Sequence, residues 1–348
     1  MRVCFVATTE EELLLMWSVC EELRKGGVET LFVRAGGGER FDGIAGSVGA
    51  RFDESIGAGD VSSCAATVLE RFPRILENFK PHWVVVHGAN GCGVAAAVAA
   101  HCASFPVTHI GSGLRFGRRL GVDGKEACRR ATEALSSILL APTQRAHSNL
   151  LSENHPPQIV HTTGSTLTNT LIRVKKRISA DGSIDRIKQR LLGKSDASLL
   201  LLLIEHKDVL SGVLQGLERV GEFLSGVRIV VVPLDGEFEG AGGEFFVCGD
   251  VGFVEVLGAA VGGVVVTDVG WVVEAAVVFG FGVVLMAEAT DRPDAVETGW
   301  AVLSGLEKQR VVKAAVMMLK RWVAPHREPF KGKDAAARVA AILTQNRQ

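Results

Sequence analysis

Tyrosine is absent from the 348 residues, an absence with no evident physical reason, and aromatic residues make up only 6% of the chain. Net charge is nearly absent too: 38 Lys and Arg stand against 39 Asp and Glu, giving -1. That balance argues against nucleic acid as a partner, because such proteins carry a basic excess or stripe. No Cys-x-x-Cys spacing occurs among the seven cysteines at 4, 20, 64, 92, 102, 128 and 248. An odd, scattered set argues against a disulfide framework or structural zinc, and for a reducing compartment. No clean apolar run reaches the roughly 20 residues a membrane span needs. The longest, about residues 251–286, is broken by Glu255, Asp268 and Glu274. The chain opens on an apolar strand pattern, without the apolar block of a signal peptide or the basic, Ser-rich stretch of a transit peptide. The expectation is therefore a cytoplasmic protein with no membrane partner.

What is present is a chain of globular composition. Hydrophobic residues are 47% and charged residues 22%, which excludes bulk disorder. Forty glycines favour tight strand–helix turns. Short apolar runs recur at Val3–Ala7, Thr30–Val33, Trp83–Val86, Val107–Ile110, Ile138–Ala141, Leu199–Ile204, Arg228–Val232, Gly263–Thr267 and Val283–Met286. They do not alternate, so they suit parallel strands buried on both faces. Helical patterns lie between them at Glu10–Lys25, Val61–Phe79, Val94–Cys102, Lys125–Ser136, Lys207–Leu224 and Lys308–Trp322.

This alternation predicts an α/β protein of two Rossmann-like, doubly wound domains facing across a cleft. The expected division is an N-terminal domain over 1–172, a polar linker or helix over 173–197, a C-terminal domain over 198–330 and a last helix over 331–348. Ligands of such sheets sit beyond the carboxyl ends of the strands.

Several motifs fall at those ends. Gly91-Cys-Gly93-Val-Ala-Ala96 has the form GxGxxA, which cradles a pyrophosphate or simply allows a tight, closely packed turn. His87, His109 and His206 each end a predicted strand, as site groups or as hydrogen-bonded structural ones. No pair has the i, i+4 spacing of metal ligands, so no metal is expected. Asp268-Val-Gly270-Trp-Val-Val-Glu274 follows a strand and opens a helix. It reads as a phosphate site, with Trp271 crowding the approach, or as a helix start capped by Asp268. Thr290-Asp-Arg292-Pro-Asp294 is a polar turn whose Arg pairs with a diphosphate or with Asp291 or Asp294. No GxSxG occurs, and Cys92 is the one thiol placed near strand-end histidines.

Read together, these segments resemble the non-hydrolysing UDP-N-acetylglucosamine 2-epimerases, a family with the two-Rossmann architecture of GT-B glycosyltransferases. The likeness runs over about residues 1–345. It is carried by Pro81-His-Trp-Val-Val-Val-His-Gly88, Pro106-Val-Thr-His-Ile-Gly-Ser-Gly-Leu-Arg115, Ala141-Pro-Thr143, Asn149-Leu-Leu-Ser-Glu-Asn154, Thr163-Gly-Ser-Thr166, Thr267-Asp-Val-Gly270 and Thr290-Asp-Arg-Pro-Asp-Ala-Val-Glu-Thr-Gly299.

The resemblance implies a reaction in which the C2 proton leaves, UDP is expelled, and both return with the proton on the other face. It also implies a homodimer and no cofactor. At the positions where the family carries its catalytic acids, this chain has Ala89, Gly111 and Lys125. The family's GTRPE stretch reads Ala7-Thr-Thr-Glu10-Glu-Glu12 here, so a substrate-facing cation has become Glu10, and Leu15 stands at the family's Lys. Its regulatory QHRE loop appears as Gly36-Gly-Gly-Glu-Arg40. Glu126 and His206 are the residual acid–base candidates. Arg115, Arg129, Asp268, Gly270, Glu274, Thr290 and Arg292 are the substrate-binding candidates.

Three readings follow. The chain is an epimerase-like protein with impaired or absent catalysis, acting as a binding, regulatory or structural subunit with a protein partner. Alternatively it is an active epimerase of UDP-N-acetylglucosamine with a rearranged site. The third is a GT-B transferase using another nucleotide donor. In each, UDP or a UDP-sugar is the expected ligand class or its nearest relative.

Overall fold

A computed structural model describes residues 1–57, 61–117, 124–192, 197–204, 211–217, 226–232, 246–247, 252–330 and 332–346. The chain divides into two compact units, Met1–Ile172 with Phe330–Gln348, and Arg173–Pro329.

The first unit is built on a seven-stranded sheet among the described residues. Its strands are β1 (Arg2–Ala7), β2 (Glu29–Ala35), β3 (Glu54–Ile56), β4 (Trp83–Val86), β5 (Val107–Ile110), β6 (Ile138–Ala141) and β7 (Val160–Thr162). They pair in parallel in the order β3-β2-β1-β4-β5-β6-β7. The order reverses between β1 and β4, so loops leave those two neighbours on opposite sides of the sheet and open a crevice. Val3–Phe5 and Val84–Val86 are fully buried, as strands covered by helices on both faces require.

Helices α1 (Glu10–Lys25), α2 (Glu39–Val48), α3 (Val61–Phe79), α4 (Gly91–Cys102), α5 (Gly124–Ala134) and α6 (Gln144–Ser152) follow their strands. Thr9 and Glu12 form a capping box at the start of α1. Each satisfies a backbone N–H that the first turn leaves open. Helix α7 (Thr166–Ala180) runs through the point of division, and α8 (Ser183–Leu192) follows it. The polar stretch 173–192 is thus helical. Its apolar face, with Ile178 and Ile184, lies against Gly258 of the second unit.

The second unit has a six-stranded parallel sheet among the described residues, in the order β10-β9-β8-β11-β12-β13. The strands are β8 (Ser198–Leu203), β9 (Val227–Val231), β10 (Phe246–Val247), β11 (Val264–Thr267), β12 (Gly282–Leu285) and β13 (Ala301–Leu303). Leu200–Leu203 and Val264–Val266 are shut off from solvent. Burying such a side chain stabilises by about 1.5–3 kcal/mol. The helices are α9 (Phe253–Ala259), α10 (Val272–Phe279), α11 (Pro293–Glu297) and α12 (Lys308–Arg321), with residues 211–217 also helical.

The last helix, α13 (Ala335–Gln345), packs on the first unit. The Trp83 indole donates to Leu343 O at 3.1 Å, and Arg338 Nε to Thr163 O at 2.7 Å. No helix among the described residues is long and apolar enough to cross a membrane.

Candidate functional site

At the strand-order reversal, the β1–α1 and β4–α4 turns are fastened to each other by Glu12. Its carboxyl group is wholly buried. Oε2 accepts from Thr8 N at 2.7 Å, Thr9 N at 3.2 Å and the Thr8 hydroxyl. Oε1 accepts from Asn90 Nδ2 at 3.3 Å, and the same nitrogen donates to Thr8 Oγ1 at 2.6 Å. Asn90 Oδ1 in turn accepts from Gly93 N at 3.0 Å, capping α4. Burial pushes the Glu12 carboxyl up to about 7, with the Thr8 bonds opposing and the charge of Glu11 adding to it.

This arrangement decides how Gly91–Ala96 is used. A Cβ on Gly93 would sit 2.8 Å from Gly88 Cα and 3.1 Å from Glu12 Oε1. The glycine allows close packing of two turns, and its N–H serves Asn90.

His87 ends β4, with Nδ1 2.7 Å from Ile110 O. Because a carbonyl only accepts, Nδ1 carries the proton, and Nε2 lies 3.8 Å from Glu11 Oε1. The His109 ring centre is 5.8 Å from that of His87. Burial, then the charges of His87, Arg129 and Arg115, hold the His109 imidazole well below its usual range. Glu10, where the resemblance expects a cation, pairs with Arg40 of α2 at 2.9 Å. Cys92 is buried in α4.

The loop after β5 is held by charge. Gly111 has φ +77°, and a Cβ there would come within 2.8 Å of His87 Nδ1. Arg115 uses every N–H it has. Nη1 donates to Leu114 O at 2.9 Å and Glu133 Oε1 at 3.1 Å. Nη2 donates to Glu133 Oε2 at 2.5 Å and Glu153 Oε2 at 2.6 Å, and Nε to Glu153 Oε1 at 2.9 Å. Glu133 also accepts from Gly113 N at 2.7 Å. Burial raises Glu153, but the bonds and charge of Arg115, with Arg130 and His155, outweigh it and hold the carboxyl low.

Glu126 Oε2 accepts from Phe116 N at 2.9 Å, and Oε1 from Arg130 Nη2 at 2.9 Å. Arg129 is buried with its guanidinium 5.7 Å from the Phe116 ring centre. Lys125 and Ala89 differ in setting: the first is exposed, the second buried at the β4 end. Glu133, Glu153 and His155 offer ligand atoms within 4.8 Å of one another. Both carboxylates already clamp Arg115, whose charge stands where a cation would.

In the second unit, Asp268 and Gly270 follow β11, half exposed, and a Cβ on Gly270 would meet nothing within 4 Å. The capping expectation is corrected here: α10 begins at Val272 behind Trp271, with no side-chain cap. The crowding expectation is corrected too. Trp271 turns inward, 5.4 Å from the Phe253 ring, because its burial outweighs exposure at the turn. Arg292 is buried, with Nε on Glu274 Oε1 at 2.7 Å and Nη1 on Asp291 Oδ1 at 2.8 Å. Thr290 Oγ1 accepts from Arg292 N at 3.1 Å. These four residues, from the β12–α11 turn and α10, form one internal charged cluster.

His206 lies outside the described residues. The structure thus joins Arg115 to Glu126 through Arg130 and Glu153, at 2.9 and 3.1 Å, and joins Glu274, Thr290 and Arg292. Sequence reasoning missed Glu12, Glu133 and Glu153. The Thr9-x-x-Glu12 capping pattern signalled the first. No spacing signalled the other two.

A family model described as UDP-N-acetylglucosamine 2-epimerase matches residues 50–344. The UDP-N-acetylglucosamine 2-epimerase of Salmonella typhimurium is 28% identical over 271 residues, 72% of this chain and 71% of that protein. The Neisseria meningitidis UDP-GlcNAc 2-epimerase bound to UDP-GlcNAc shares the fold at TM-score 0.88 and 21% identity, over 99% of this chain and 100% of that one. The Methanocaldococcus jannaschii enzyme in complex with UDP-GlcNAc and UDP matches at TM-score 0.85 and 21% identity, with the same coverage.

Proposed function

Since the chain belongs to the UDP-N-acetylglucosamine 2-epimerase family, we propose that it binds a UDP-sugar and has lost most or all epimerisation, serving as a binding, regulatory or structural subunit. The observation that carries this reading is the state of the acid positions at the first unit's strand edge. Ala89 and Gly111 transfer no proton, and Lys125 lies at an exposed position. Glu126 has both oxygens engaged, by Phe116 N and Arg130.

Epimerisation through elimination needs a base at C2, an acid for the return, and positive charge at the departing diphosphate. Each missing acid–base group costs about 10²–10⁴ in rate. Arg115 has no N–H left for a phosphate, so its part is to hold the 111–117 loop. Asp268, Gly270 and the Arg292 cluster are the remaining frame for a nucleotide. The UDP-GlcNAc complexes of the Neisseria and Methanocaldococcus proteins support that ligand class.

Calorimetric titration with UDP and UDP-N-acetylglucosamine, followed by mass spectrometry for solvent deuterium at C2, tests the reading. Micromolar binding without deuterium is expected. No heat up to millimolar ligand overturns it. Sedimentation of the same preparation checks the homodimer that the resemblance implies.

One observation favours a second reading, an active epimerase with a rearranged site. His87, fixed by Ile110 O, aims Nε2 at Glu11 and so makes an imidazole–carboxylate pair at the strand edge. Deuterium at C2 would establish that reading in place of the first.

A further inference from the structure

The Glu12 carboxyl joins two turns that the sheet topology places on either side of the crevice. Four donors reach it: two backbone N–H groups, one hydroxyl and one side-chain amide. Among the described residues no acceptor does, so the geometry is that of a carboxylate. Thr8 Oγ1 accepts from Asn90, which turns its own hydrogen towards Glu12. Oε2 already takes three donors and Oε1 only Asn90 Nδ2, so an added proton goes to Oε1, where it crowds that amide. The Asn90 bond, at 3.3 Å the longest, yields first.

We propose that Glu12 is a positioning residue: its carboxylate ties the β1–α1 and β4–α4 turns into the arrangement that receives the ligand, and proton uptake unties them. The ligand half of this inference rests on the UDP-sugar reading above. The tie itself does not.

The groups facing Glu12 are few. Thr8 and Thr9 from the first turn, and Asn90 and Gly93 from the second, are uncharged. Glu11 is the charge on its own helix that acts on it. His87, from β4, faces Glu11. A fully buried carboxyl set against another carboxylate is held near neutrality, so both states are populated under ordinary conditions.

The test has a ligand-free and a ligand-bound half, both on the full chain. First, carboxyl ¹³C NMR of glutamate-labelled protein, assigned with Glu12→Gln, follows the titration of Glu12. A midpoint near neutrality is expected, moving upward in Thr8→Val, which removes a donor. A midpoint in the ordinary glutamate range would overturn the release by proton uptake, and a midpoint unmoved in Thr8→Val would overturn the tie. Second, UDP affinity is measured from pH 6 to pH 8. If only the carboxylate form receives ligand, the wild type binds about tenfold tighter at pH 8 than at pH 6 beyond the ligand's own titration. Glu12→Gln carries only that ligand titration and binds at least tenfold more weakly than wild type at pH 8. Parallel profiles would overturn the positioning role. Absence of UDP binding at every pH would instead overturn the nucleotide reading, leaving the NMR to decide the tie.

Discussion

Glu133 grips Arg115 with both carboxylate oxygens, at 3.1 and 2.5 Å, and Glu153 grips the same guanidinium from its other edge at 2.9 and 2.6 Å. Two carboxylates for one cation is an internal fastening, and the loop after β5 hangs from it.

Breaking that fastening at its buried member is expected to be costly. Glu133→Ala leaves a largely buried Arg115 half compensated and frees Gly113 N. Loss of one partner of a buried pair costs about 3–5 kcal/mol. Urea unfolding of the variant should show this, while Glu153→Gln, at a partly exposed position, should lose clearly less. Equal losses would mean that the two carboxylates share the load.

Restoring a carboxylate at position 111 should fail. Gly111→Glu places a side chain at φ +77°, worth about 1–2 kcal/mol against an L-residue. Its Cβ also meets His87 Nδ1 at 2.8 Å. The expected outcome is a lower melting temperature and no gain of deuterium at C2. Recovered exchange would show that the other missing acids are dispensable.

Stability should carry the imprint of Glu12. Its folded-state value is raised from 4.5 to about 7 by burial, so the folded chain holds a proton that the unfolded chain releases in that window. The contribution is fully present below about 4.5 and lost as pH rises through about 7, by up to about 3 kcal/mol. Melting curves across this range should fall for the wild type relative to Glu12→Gln. A constant difference between the two would contradict the assignment.

The second unit has its own buried charge test. Arg292→Gln removes the guanidinium that Glu274 and Asp291 both bond, and about 3–5 kcal/mol should be lost. Arg292→Lys should recover only part of this, because an ammonium does not reproduce two separately directed guanidinium bonds. Full recovery by Lys would mean that charge alone matters there.

How much of this was legible depends on the burial of each element. Leu199–Leu203 declares itself because both faces are covered, leaving no polar residue to interrupt the run. The edge strand β3, with Glu54 and Ser55 exposed, is three residues long and has no such run. Strand β7, with Thr162 exposed, escaped for the same reason, and β13 is apolar but only three residues long. The site was legible in residue type and not in allegiance. Arg115 reads as an anion binder until its carboxylates are located 18 and 38 residues away. Trp271 reads as an obstacle beside Gly270 until its ring is found against Phe253. Neither pairing has a sequence period, because each crosses from one element to another.

The return of α13 to the first unit has a temporal consequence. Trp83 and Thr163 take their hydrogen-bond partners, Leu343 and Arg338, from the far side of residues 173–329. At about 5–20 residues per second, the ribosome needs roughly 10–30 s to deliver that intervening stretch. During translation the first sheet waits with one helix missing, and a chain halted anywhere in the second unit leaves the first one unfinished.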